Sequence, residues 1–90
     1  MRLNEQDIYD LRMKFEEALN RSPKNIEKQK KMRMRRKVRD EIFFLLTWEK
    51  PSPSAIMNRW EDRLFDVFQI MPFGFKEELL NLLIDKMGKT

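Results

Sequence analysis

The chain has 90 residues, 41% of them hydrophobic and 38% charged, with 19 Lys and Arg against 15 Asp and Glu for a net charge of +4. That length supports one small domain over 1–90, and the apolar share excludes wholesale disorder. The absence of histidine and cysteine excludes disulfides, thiolate or imidazole zinc sites, cysteine nucleophiles and proton transfer through imidazole.

Hydropathy follows helical spacing throughout, and no segment alternates as a strand would, so the expected fold is all-α, a compact bundle of four helices. The first helix is expected from about Glu5 to Leu19. Ile8, Leu11, Phe15, Ala18 and Leu19 share one face, Asn4 is placed to cap, and Leu3 can staple onto Ile8. Asn20, Arg21 and Ser22 make the turn, with Ser22 as cap and Pro23 at the first helical position. One long, partly basic helix is then expected over about 23–48, roughly 39 Å at 1.5 Å per residue. Its second half, Ile42 to Trp48, is apolar in nearly every direction around the axis.

Lys50-Pro51-Ser52-Pro53 stops that helix and starts the next, again with a serine cap followed by proline. The third segment, about Pro53 to Met71, carries the stripe Ile56, Trp60, Leu64, Val67 and Met71, widened by Phe65 and Phe68. Met71-Pro72-Phe73-Gly74 breaks it. The fourth, about Phe75 to Met87, presents Leu79, Leu82, Leu83 and Met87 and ends at Gly88.

Between Lys28 and Arg39 the sequence reads KQKKMRMRRKVR. Lys28, Lys30, Lys31, Arg33, Arg35, Arg36, Lys37 and Arg39 make eight cations in twelve positions with no acid among them. The rest of the chain holds 11 basic against 15 acidic side chains, a net of −4, so the positive character is local. On a solvated helix, opposite charges usually interleave at i and i+4. Lys31, Arg35 and Arg39 form instead a like-charge series, destabilising by about 0.2–0.5 kcal/mol for each pair. A polyanionic partner compensates that loss, and guanidinium forks match phosphate oxygens. Met34 and Val38, continued by Ile42 and Leu45, leave one apolar side to lie on the bundle. In composition the run resembles arginine-rich helical peptides that bind RNA grooves and the basic regions of DNA-binding helices. No short recognition helix, sheet platform or zinc signature is present, which tilts the expected nucleic-acid partner toward RNA over DNA.

Eight of the ten aromatic residues stand at or after Phe43. Core packing accounts for Trp60 and Phe68. Phe43, Phe44, Trp48, Phe73 and Phe75 exceed what one small core needs, and their expected use is a homodimer or partner interface rather than base stacking. The acid pairs Glu16-Glu17, Asp40-Glu41, Glu61-Asp62 and Glu77-Glu78 read as polar helix faces, since neighbours on a helix diverge by about 100°. The isolated Gly74 and Gly88 make no phosphate loop. No catalytic residue, metal site or cofactor is therefore expected.

Met1-Arg2-Leu3 leads into a polar segment, and no apolar run approaches the ~20 residues of a membrane span. A cytoplasmic location is expected and a membrane partner is not. The leading expectation is a nucleic-acid-binding protein that acts by occupancy or sequestration. The alternative is a regulator that inhibits or adapts a cellular machine by docking on an acidic groove of a protein partner.

Overall fold

A computed structural model of the chain describes residues 3–21 and 26–88. Over these it is all-helical, with α1 at Glu5–Asn20, α2 at Lys28–Phe44, α3 at Pro53–Arg63, α4 at Phe65–Ile70 and α5 at Phe75–Met87. α1 begins as its sequence dictates. The Asn4 side chain accepts from the Asp7 backbone N–H at 2.8 Å, and the Asp7 carboxylate accepts from the Asn4 N–H at 3.2 Å. This reciprocal cap satisfies two donors that the helix itself leaves open. Leu3 and Ile8 are both buried behind it.

The second helix is shorter than the spacing predicts, at 17 residues, or about 26 Å. The expected cap and start at Ser22 and Pro23 lie outside the described residues. Ile26 is a bend and Glu27, with φ −58° and ψ 137°, is non-helical, so the helix begins only at Lys28. At the other end, Leu45, Leu46 and Thr47 donate to the carbonyls three residues back, at 3.0, 3.1 and 3.0 Å, and the Thr47 hydroxyl donates to the Phe44 carbonyl. The chain tightens into a turn there. An all-round apolar run from Ile42 to Trp48 is thus resolved by turning. Ile42 and Leu45 enter the core, Leu46 and Trp48 pack against it, and Phe43 and Phe44 point outward.

The third segment divides in two. Leu64, with φ −113° and ψ 29°, interrupts the helix between α3 and α4. The Ser52 hydroxyl caps α3 by accepting from the Ala55 N–H at 3.2 Å. The break re-aims the following turn. Leu64, Val67 and Phe68 go inward, whereas Phe65, expected on the same stripe, is 62% exposed.

The core is centred on aromatic rings. Phe15 meets Trp60 edge-on at 5.6 Å, Phe75 edge-on at 5.2 Å and Phe68 in a stack at 6.2 Å, geometries that suit the ring quadrupoles. Phe75 therefore belongs to the core and not to the partner surface expected for it. Gly74 provides the reason. Its left-handed φ of +84° starts α5 with Phe75 turned inward and leaves the preceding Phe73 fully exposed. Outside the core, α1 and α5 are joined by ion pairs of Lys86 with Asp10 and Asp7, and of Lys14 with Glu78 at 3.5 Å. No helix among the described residues is long and apolar enough to cross a membrane.

Candidate nucleic-acid interface

Met34, Val38 and Ile42 are the buried residues of α2 and fix its direction to the core. The cations occupy the remaining arc. At 100° per residue, Arg35, Arg39 and Arg36 step away from the core on the α1 side, and Lys30, Lys37 and Arg33 step away on the α4 side. Lys28 is exposed in the first turn, and Lys31 is half-buried beside the apolar stripe. The structure thus displays seven of the eight expected cations along one outer arc, whereas the eighth, Lys31, falls on the core-facing side of the helix with Met34 and Val38.

The two flanks are built differently. On the α1 side, Arg12 of α1 joins Arg35, Arg36 and Arg39 around a cleft of about 340 Å³, with Met32 and Glu16 completing the lining. Arg35 is held in place there. Its Nε donates to Glu16 Oε2 at 3.1 Å and its Nη2 to Asn20 Oδ1 at 3.3 Å. Arg39 has only its neighbour Asp40 at 3.9 Å, and Arg12 and Arg36 have no ion pair among the described residues. Four guanidinium groups facing one carboxylate leave the cleft strongly positive, and it is shaped by the groups that bind phosphate in forked pairs.

On the α4 side, Lys30, Arg33 and Lys37 surround a smaller recess of about 180 Å³ with Asp66. Lys37 Nζ donates to Asp66 Oδ2 at 3.0 Å. Partial burial works against ionisation of Asp66, but the Lys37 hydrogen bond and charge, with backbone N–H groups, hold its carboxyl below the usual value. This flank is therefore partly neutralised within the fold.

A third recess, of about 200 Å³, adjoins the arginine cleft toward the C-terminal end of α2. It lies between Glu5, Ile8, Tyr9 and Arg12 of α1 and Phe43 and Leu46. Arg12 lines both recesses. Sequence reasoning singled out the arginine series of α2 but not Arg12 and Tyr9, which line the recesses beside it. Both stand on the flank of α1 next to its buried stripe, a position visible on a helical wheel. That this flank faces α2 follows only from how the helices pack.

The other expected surface residues have separate fates. Phe44 is covered by Arg59, whose guanidinium lies 3.9 Å from the ring centroid, and it also touches the Trp48 ring at 5.8 Å. Arg59 in turn donates twice to Glu41, at 2.8 and 3.3 Å. This cluster fastens the end of α2 to α3. Phe43 and Phe73 stay accessible. Members of the acid pairs serve as links between helices, with Glu16, Glu41 and Glu78 each pairing a cation on another helix. Among the described residues, no group of acids could hold a metal ion.

No family model, curated protein or solved structure matches this chain. The functional reading rests on the residues themselves.

Proposed function

We propose that this chain is a small nucleic-acid-binding protein, with RNA favoured over DNA, that acts by occupying or sequestering its target through the cationic arc of α2. One observation carries the reading. Eight cations without an intervening acid lie on one helix, and among the described residues only Arg35 and Lys37 are met by acids from other helices. A structural role for such a run would call for matching acids across the bundle, and most of its cations have none among the described residues. The long, uniformly basic surface suits phosphate and shape recognition better than a base-reading helix. Cytoplasmic residence goes with this reading, as does a homodimer, which would bring two arcs onto one ligand and raise avidity.

Reversal of Arg33, Arg35 and Arg36 to Glu tests the proposal. All three side chains lie outside the core, so circular dichroism should report an unchanged helical content while RNA affinity is lost. Retained affinity in a folded triple variant refutes the assignment. A protein-directed regulator is the second reading, and the fully exposed Phe73 is what favours it, since isolated aromatic anchors dominate many interfaces. Purification settles the choice. Nucleic acid released by nuclease supports the first reading, and a stoichiometric acidic protein partner supports the second.

A further inference from the structure

We propose that the α1–α2 face takes unpaired nucleotides, with a backbone phosphate in the arginine cleft and a base in the hollow between Tyr9 and Phe43. The inference rests on the nucleic-acid reading of α2 and narrows it from polyanions in general to single-stranded segments. Tyr9 and Phe43 come from different helices, line one hollow and are 57% and 46% exposed. Neither ring is needed by the core. Their neighbours Ile8 and Leu46 are buried and half-buried, so the hollow has an apolar floor suited to a planar ring.

The arrangement of charge specifies which part of a nucleotide goes where. Arg12 sits between the hollow and the cleft that holds Arg35, Arg36 and Arg39, so an aromatic surface and a phosphate-binding surface share one wall. Glu5, an exposed residue in the lining of the hollow, repels a phosphate but tolerates a neutral base and can accept from an exocyclic amino group. Glu16 in the cleft is already engaged by Arg35, and of the other arginines only Arg39 has an acid near it among the described residues, its neighbour Asp40 at 3.9 Å. Single-strand binders combine these two elements, a cationic track and rings on which bases stack. A duplex hides its base faces in its own stack. It can therefore use the cleft but not the hollow.

The test is fluorescence anisotropy with a labelled single-stranded RNA of about 12 nucleotides, free and annealed to its complement. Tyr9→Ala with Phe43→Ala should weaken single-strand binding by about tenfold and leave duplex binding unchanged. Arg36→Glu with Arg39→Glu should weaken both. Should the alanine pair fail to fold, Tyr9→Leu with Phe43→Leu keeps apolar bulk while removing the ring faces, and the same selective loss is expected. Equal loss on the two RNAs, or no loss on either, overturns the stacking site and leaves the cationic interface standing. Failure of the unaltered protein to bind either RNA overturns the nucleic-acid reading itself and, with it, this site.

Discussion

Two of the eight cations of α2 are already matched by acids on other helices, Arg35 by Glu16 at 3.1 Å and Lys37 by Asp66 at 3.0 Å. Phosphates must compete with these carboxylates, so neutralising them with Glu16→Gln and Asp66→Asn should strengthen binding. Six cations that no described acid on another helix engages give a log–log salt slope of about −4 on a single strand and about −5 on duplex DNA. Two more raise the single-strand slope to between −5 and −6, and each freed cation adds about fivefold in affinity near 0.1 M salt. The pair of substitutions should therefore gain up to about 25-fold. Both ion pairs are substantially solvent-exposed, and their loss should cost the fold only about 0.2–1 kcal/mol each. Anisotropy titrations from low to high salt measure slope and affinity together, with thermal melts as the control for folding. A folded double variant whose slope and affinity match the unaltered protein would show that Arg35 and Lys37 do not contact the ligand.

The remaining predictions concern the fold. Hydrogen bonding from Lys86, then from Gln6, holds the Asp10 carboxyl below its ordinary value of 3.8, while Lys86 is raised above its ordinary 10.5 by the bond to Asp10 against partial burial. The contribution of Asp10 is complete above 3.8 and lost as pH falls through its lower folded value. That of Lys86 is complete below 10.5 and lost as pH rises through its higher one. Asp10→Asn should accordingly lower the melting temperature between those limits and converge with the unaltered protein at the extremes, and a uniform offset at every pH would contradict this. Gly74→Ala has open space for its methyl group but must adopt φ near +84°, so denaturant unfolding should show a loss of about 1–2 kcal/mol. The buried Nε1 of Trp60 has no hydrogen-bond partner among the described residues. In Trp60→Phe, relief of that donor should offset much of the lost packing and keep the net change within about 1 kcal/mol, well below the 3–5 typical of truncation to alanine. A loss as large as for alanine would mean that the donor is satisfied in solution.

Local signals were legible wherever one residue decides the outcome. Asn4 and Ser52 cap as their types and positions predict, and Met34, Val38, Ile42 and Leu45 form the buried side of α2 that the cationic pattern leaves open. The misses arise where two favourable readings compete. Ile42 to Trp48 satisfies a helix buried on all sides and equally a helix that ends in a turn, and only the packing of Leu46 and Trp48 on the core selects the turn. Around Leu64 the periodicity runs on unbroken, so nothing in the spacing announces the interruption that turns Phe65 outward. Phe73 and Phe75 differ in burial because of the backbone at Gly74, which a surface-or-core estimate by residue type cannot see. The candidate site was legible on one side only. The arginines of α2 announce themselves by density, whereas Arg12 and Tyr9 acquire meaning from the helix they face.

The start of α2 has an evolutionary consequence. No side chain among the described residues caps it, its first turn holds no acid, and Lys28, Lys30 and Lys31 stand where the helix dipole is positive. An acidic residue in that turn would stabilise the helix by about 0.3–1 kcal/mol, so improvement is available by single substitutions. A lineage freed from the need to bind an anion, or a laboratory selection for heat resistance without ligand, should accumulate acids in this turn before altering the core. The persistence of its lysines under such a selection would measure how strongly the ligand constrains the chain.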